Sequence, residues 1–245
     1  MIFVFDLDGT ISFDGKSISL ELLESLTELS LKNQLIFASA RPIRDMLPLL
    51  SAFPKELLIG GNGSIARNKQ QQIEIVQPIS AHDFLLIKKI ITDQDLDYLV
   101  DSDWNYALLN RDEERAQIND KIDQCHLAKN VSLSEIDRAI KCNLLNPQSE
   151  IILHELKKLN LEIVRHEEAK SIDLTAKGVN KYTTLRQYFP KEEYISFGND
   201  DNNIQLLRHA ELSIAVGSNQ ALDFADIHLN EKEILRYLEK ITCHN

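Results

Sequence analysis

Asp6-Leu7-Asp8-Gly9-Thr10 places two carboxylates at spacing i, i+2 directly behind the apolar run Ile2–Phe5. Carboxylates this close repel one another, so a shared proton or a cation must offset their charge. With a hard cation such as Mg2+, one can stay a bare nucleophile while its neighbour carries a proton to donate. The same DxDG also suits a strand-to-turn junction with no chemistry, because Asp and Gly favour turns. The chemical reading therefore depends on partners elsewhere in the chain. Two further apolar runs supply them: Leu35–Ala38 ends in Ser39-Ala40-Arg41, and Tyr194–Phe197 ends in Gly198-Asn199-Asp200-Asp201-Asn202-Asn203. Taken singly, Ser39 ahead of Pro42 is a helix cap and the Asn/Asp run a polar loop. Taken together, they bring a nucleophile, a hydroxyl donor and an oxygen-rich cation site to the ends of three strands.

Runs of four or five apolar residues are those of strands buried on both faces, as in a parallel sheet, and ligands of open α/β sheets sit beyond the carboxyl ends of such strands. The intervening elements fit that arrangement. Leu22, Leu23, Leu26 and Leu29 recur at helical spacing, with Asn33 as a stop, and Pro42 is placed to open a helix through Met46, Leu47 and Leu50. Leu57–Ile59 is a third strand, closed by the turn Gly60-Gly61-Asn62-Gly63. The opening is thus β-α-β-α-β, a doubly wound start. After Pro78 the alternation lapses. A helix is expected over 81–95, strands over 98–100, 106–109, 139–145, 161–165 and 171–175, a helix over 147–159, and a highly charged helix or connection over 113–126. Such a pattern reads as an α+β insertion with an antiparallel sheet. Strict alternation resumes near Gly178, with helices over 181–188 and 203–210 and strands over 194–197 and 212–216. The expected organisation is a doubly wound core from residues 1–80 and 178–245, with 81–177 as an inserted lid.

At 245 residues and 43% hydrophobic content the chain is long enough for one large or two modest globular units. A formal charge of −11 argues against nucleic acid as a partner, since phosphate backbones require clustered Lys and Arg. Any anionic substrate must instead be met by local positive charge. Cys125, Cys142 and Cys243 are an odd three without CxxC spacing, as in reduced thiols of a cytoplasmic protein. No apolar run approaches 18 residues, so no membrane span is expected.

DLDGT, Ser39 at the second strand, Lys181 ahead of a helix, and the acidic loop at a later strand resemble the four motifs of the haloacid dehalogenase-like phosphatases. Asn62-Gly63 before the insertion, Gly178-Val179-Asn180-Lys181 and Ile214-Ala215-Val216-Gly217-Ser218-Asn219 resemble the Cof-type branch, whose large α/β cap governs substrate choice. The resemblance implies that Asp6 attacks phosphorus and that Asp8 acts as acid and then base. Ser39 would bond the transferring phosphoryl group and Lys181 offset its charge. It implies a Mg2+ held by Asp6, the Asp8 carbonyl, Asn199 and Asp200, and substrate contacts from Arg41, Asn62 and Asn202. Arg41 has an alternative role in orienting the Ser39 loop or pairing with an acidic neighbour. The fourth motif departs from the family's GDxxND, with Asn199 and Asn203 where it has Asp. This makes Asp200 the candidate anion of the loop. Tyr182 stands where the family has Gly and is expected to narrow the entrance. The implied function is a phosphatase for small phosphorylated metabolites such as sugar phosphates, acting as a monomer or homodimer. A hexose-phosphate phosphomutase shares the Asp pair, and the two Asn replacements motivate a non-catalytic phosphometabolite-binding protein. Trp104, Tyr106, Arg111, His126 and the seven histidines as a group carry no assignment.

Overall fold

The computed structural model describes the chain except for residues 113–121, 148–149, 167–169 and 245. Most of the segment 113–126 therefore lies outside the described residues. Eight strands form the larger sheet: β1 (Ile2–Phe5), β2 (Gln34–Ala38), β3 (Leu57–Gly60), β4 (Ile65–Arg67), β5 (Ile73–Ile75), β11 (Tyr194–Gly198), β12 (Leu212–Val216) and β13 (Ile227–Leu229). They run in the order β13-β12-β11-β1-β2-β3-β4-β5. From β13 to β3 all pairings are parallel, while β4 and β5 extend the edge as antiparallel strands. The chain winds outward from β1 to β3 on one side and from β11 to β13 on the other. The β1/β11 junction is therefore the topological switch point, where a crevice opens.

Alternation along the buried strands divides the core into two layers. Phe3, Phe5, Leu35, Phe37 and Phe197 face the helices Leu20–Ser30 and Glu231–His244, meeting Leu22, Leu26, Ile234 and Leu238. Phe5 and Phe197 stack with ring centroids 4.6 Å apart, locking β1 to β11 just beneath the crevice. Val4, Ile36 and Ile59 face the other way, against Leu185 of the helix Lys181–Tyr188 and Leu206 of the helix Ile204–Arg208.

The intervening residues form a second sheet from β6 (Asp97–Asp101), β7 (Tyr106–Leu109), β8 (Lys141–Leu145), β9 (Leu161–His166) and β10 (Ser171–Ala176). Its order is β7-β6-β8-β10-β9, antiparallel throughout. Val100, Cys142, Leu144, Ile172 and Leu174 pack on the helices Ala81–Asp93 and Glu150–Leu156. The alternate residues Asp101, Lys141, Asn143 and Asp173 belong to the opposite face. Three of these, Asp101, Lys141 and Asp173, are charged yet buried. That face lies over the carboxyl edge of the larger sheet, where the Lys141 ammonium donates to the Ala40 carbonyl at 3.3 Å.

Two expectations need correction, the helix after Pro42 and the place of Tyr182. The helix after Pro42 spans only Ile43–Met46 and Pro42 precedes it as the N-cap. Pro48 has no N–H to offer the Arg44 carbonyl, so the helix cannot propagate. The larger sheet is the doubly wound parallel sheet expected, extended at one edge by β4 and β5, which fold back after the Gly61–Gly63 turn. Tyr182 does not narrow an entrance. One residue on from Lys181, it is turned about a quarter of the way round the helix and stacks on His209, centroids 4.0 Å apart.

Candidate active site

Asp6 comes directly after the last residue of β1, and its N–H donates to the Phe197 carbonyl at 3.0 Å, continuing the β1/β11 ladder by one step. Its carboxylate is buried. Oδ1 accepts from the Lys181 ammonium at 2.9 Å and Oδ2 from the Asn203 amide at 2.8 Å. Lys181 reaches it because Asn180 caps the helix start, accepting from Thr183 N–H at 2.9 Å, so that the first helical side chain points back into the crevice. The same ammonium, wholly buried, donates to Asn202 Oδ1 at 3.1 Å and Asn203 Oδ1 at 2.8 Å. One amide, Asn203, thus bridges the cation and the carboxylate.

The chain turns sharply after Asp6, with the N–H groups of Thr10, Ile11 and Ser12 all donating to the Leu7 carbonyl. Gly9 makes this turn with φ +73°, and a Cβ there would come within 2.1 Å of Asn199 Nδ2. The loop after β11 therefore lies directly on the DLDGT turn, and Thr10 Oγ1 donates to Asn199 Oδ1 at 3.3 Å. The Asp8 carboxylate is about half exposed at the mouth of the crevice, 47% by side chain. Arg41 grips it from the end of β2 with Nε at 2.7 Å and Nη2 at 2.5 Å, and donates to the Gly15 carbonyl at 2.6 Å. Ser39, buried, accepts the Arg41 N–H at 3.1 Å, and its own carbonyl accepts the N–H of Asn62. Asp200 accepts the Asp201 N–H at 2.8 Å, as N-cap of the turn Asp201–Asn203.

Asn62 occupies the left-handed region at φ 56° and connects the two sheets. It donates to Asp173 Oδ2 at 3.1 Å and accepts from Asn202 Nδ2 at 3.3 Å. Asp173 is also paired with Lys141 at 2.9 Å. Hydrogen bonds thus run from the smaller sheet through Asp173, Asn62, Asn202 and Lys181 to Asp6. Beside this, Arg44 is buried between the sheets, donating to Asp101 at 2.6 Å and the Trp104 carbonyl at 2.9 Å, with its guanidinium 4.6 Å from the Tyr106 ring centroid. Burial pushes the Asp45 carboxyl up to about 6, opposed by the Arg44 charge and reinforced by Asp101. Lys141, Asn143, Asp173 and Arg44 carry no site assignment from the sequence. A polar residue at every second strand position signals a solvent face, and only the packing shows that this one is covered. Trp104 Nε1 donates to the Leu127 carbonyl at 2.7 Å, and Arg111 pairs with Asp95 and Asp97.

Among the described residues no three His, Cys, Asp or Glu side chains group as a metal cluster. The oxygen donors that the DLDGT segment and the loop after β11 offer are an Asp6 oxygen, the Asp8 carbonyl and Asn199 Oδ1, with the Asp200 carboxylate next in sequence. All are oxygens and two belong to carboxylates, the set a hard divalent cation takes. By donor chemistry these residues fit such an ion. A groove of about 580 Å3 between the helices Ala81–Asp93 and Glu150–Leu156 shares no residue with this site.

The model of the haloacid dehalogenase-like hydrolases matches residues 3–227. The chain belongs to this family. Solved structures agree over its whole length. A HAD subclass IIB sugar phosphatase superposes with a TM-score of 0.79 at 21% identity, covering 98% of each chain. A haloacid dehalogenase-like hydrolase of B. subtilis gives 0.80 at 15% identity, covering 97% of this chain and 98% of its own. A member of a phosphoryl-transfer superfamily, studied for its trigonal-bipyramidal intermediate, gives 0.80 at 20% identity, covering 98% of each chain. At such identities the likeness is one of fold. No curated protein matches the chain. No helix among the described residues is long and apolar enough to cross a membrane.

Proposed function

We propose that this hydrolase is a phosphatase that cleaves monophosphate esters of small metabolites, sugar phosphates among them, through an aspartyl phosphate on Asp6. The observation that carries the reading is the buried Asp6 carboxylate at the switch point, held by Lys181 and Asn203 with Asp8 two residues on. Two oriented hydrogen bonds fix the Asp6 oxygens, which is what positioning an attacking group requires. An Asp6 oxygen bonds to phosphorus as the bond to the ester oxygen breaks, and Asp8 gives that oxygen its proton. Asp8 then takes a proton from the water that attacks phosphorus, releasing inorganic phosphate and restoring Asp6. For Asp8 to carry a proton, the arriving ester must loosen at least one of its two bonds to Arg41. Lys181 offsets charge on the transferring oxygens, and Ser39 is placed at the next strand end to bond one of them. Mg2+ held by Asp6, the Asp8 carbonyl, Asn199 and Asp200 would supply the remaining charge neutralisation.

In this reading residues 81–177 act as a cap that excludes water. The net charge of −11 and the unpaired cysteine pattern support a cytoplasmic enzyme of small-molecule metabolism, with no role in nucleic-acid binding. The test is phosphate release from a panel of monoesters, with and without Mg2+, by the wild type and Asp6→Asn. We expect metal-dependent release that Asp6→Asn abolishes while the fold survives. Release retained by Asp6→Asn would refute the assignment, and an isomerised ester in place of inorganic phosphate would make the protein a phosphomutase.

A further inference from the structure

We propose that Arg44 and Asp45 form a proton-operated latch between the larger-sheet core and the cap of residues 81–177, shut while Asp45 holds a proton and released as it ionises. The inference concerns how the cap closes and stands whatever bond the site cleaves. Asp6, Ser39 and Lys181 are 4%, 1% and 0% exposed, so nothing reaches them unless the cover lifts. Arg44 and Asp45 lie on the core side, in the short helix Ile43–Met46. Beyond its neighbour Asp45, the Arg44 guanidinium meets only the cap: the Asp101 carboxylate at 2.6 Å, the Trp104 carbonyl at 2.9 Å and the face of Tyr106. Asp45 Oδ1 accepts the Asp123 N–H, also of the cap, at 3.2 Å. Two consecutive core side chains are thus plugged into the cap.

The charges at this seam do not balance, because Asp45, Asp101 and Asp123 face one guanidinium. Arg41, the next cation on the core side, is committed to Asp8 at 2.5 Å. Lys141, opposite Asp101 in the β6/β8 register, is committed to Asp173 at 2.9 Å. The Asp123 carboxylate takes the N–H groups of Leu127 and Ala128 at 2.7 and 2.9 Å. Asp45 accepts the Arg44 Nε–H at 3.1 Å and the Asp123 N–H, both on Oδ1, which leaves Oδ2 to carry a proton. The void beside it, walled by Arg41, Arg44, Asp123 and Cys125, measures about 10 Å3, room for one water at most. The Tyr106 phenol, pushed up by burial, stays neutral. Ionised Asp45 therefore stands beside two like charges without hydration, and lifting the cap removes both and admits water.

Linkage gives the direction. Burial holds the Asp45 carboxyl up at about 6, against the ordinary 3.8 of a carboxyl in water. The closed form keeps a proton that the open form has released, so closure weakens as pH rises through this window and the loss is complete above about pH 6. About one unit of the shift lies above pH 5, which sets a fall of up to about tenfold in the closing equilibrium between about pH 5 and 8.

Native-state hydrogen exchange, followed by NMR across that range, reads the equilibrium at the Asp123 N–H, whose bond crosses the seam. The Leu127 and Ala128 N–H groups, bonded within the cap, are the reference. After correction for the intrinsic pH dependence of exchange, the wild-type Asp123 protection factor should fall by up to about tenfold while Leu127 and Ala128 hold theirs. In Asp45→Asn, which cannot ionise, it should not depend on pH. A merely structural pair predicts the opposite sign, because ionisation strengthens Oδ1 as an acceptor and raises Asp123 protection. A flat or rising wild-type profile therefore overturns the latch, with no variant needed. A fall that Leu127 and Ala128 share overturns it too, since the segment would then fray or the whole chain unfold. A fall retained by Asp45→Asn places the proton elsewhere and likewise refutes the assignment.

Discussion

Replacing Asp45 by Asn should stabilise the protein, and only above the pH at which Asp45 ionises. Asp45 Oδ1 accepts both the Arg44 Nε–H at 3.1 Å and the Asp123 N–H at 3.2 Å, and an Asn side chain offers the same oxygen to both. What the substitution removes is a buried charge. Burial raises the Asp45 carboxyl from its ordinary 3.8 to about 6, even with Arg44 beside it. At about 1.36 kcal/mol per pH unit, such a shift makes ionisation in the folded state roughly 3 kcal/mol less favourable than in the unfolded chain. Below about pH 4 both states hold the proton and the residue contributes nothing. Between about pH 4 and 6 the folded state keeps a proton that the unfolded state has released, so wild-type stability falls as pH rises. Above about pH 6 the whole penalty is in force. The stability difference between Asp45→Asn and wild type should therefore be near zero at pH 4 and climb to about 3 kcal/mol by pH 7. Urea unfolding of both proteins at matched pH values reads this directly, since other titrating groups cancel in the difference. A difference that stays flat across this range, or shrinks as pH rises, would refute the burial argument.

Lys181→Met should destabilise the fold by about 3–5 kcal/mol, because it strands the Asp6 carboxylate in a buried site. The double variant with Asp6→Asn should regain much of that loss in thermal melts while phosphate release stays absent. Asp200→Ala should raise the Mg2+ concentration needed for half-maximal activity far more than Asp201→Ala, and should lose about 1 kcal/mol of stability with its capping bond. Unchanged metal dependence in Asp200→Ala would return the ligand role to Asn199 and Asn202.

Much of the larger sheet is legible in the sequence because buried parallel strands leave continuous apolar runs. Ile2–Phe5, Leu35–Ala38 and Tyr194–Phe197 each announce a strand, and the polar residues at their carboxyl ends mark the edge on which the site is built. The strands Ile65–Arg67, Ile73–Ile75 and Ile227–Leu229 pass unnoticed, since three residues are too few to show a period. The helix after Pro42 reads too long because its apolar spacing runs on through Leu50, and the missing N–H of Pro48 decides against that pattern. In the smaller sheet, alternation around Cys142 and Ile172 shows that one face packs on helices. It carries no information on whether the other face meets water or a second layer. Lys141, Asn143 and Asp173 are therefore indistinguishable, by type and spacing, from surface residues. Arg44 and Asp45 are missed for a related reason. A charged pair in a short helix is usually solvated, and its burial is set by the turn at Asp101–Tyr106, which is distant in sequence.

The two Asn residues that stand where the family has Asp show how composition can mislead about charge. As a motif position, Asn203 is a lost carboxylate. In the structure it accepts from Lys181 at 2.8 Å through its oxygen and donates to Asp6 at 2.8 Å through its nitrogen. A carboxylate there could accept from the ammonium but would set a second negative charge beside the Asp6 carboxylate, in a site too buried for water to screen it. With Asn at 203, Asp6 is paired with Lys181 at 2.9 Å, Asp8 at the crevice mouth with Arg41 at 2.5 Å, and Asp173 with Lys141 at 2.9 Å. A phosphate dianion and a divalent metal entering together add no net charge to that balance, whereas either alone would leave two unmatched charges in a buried crevice. In the proposed phosphatase the neutral residues would thus favour joint binding of metal and ester, within a chain whose overall charge of −11 would by itself repel a phosphate.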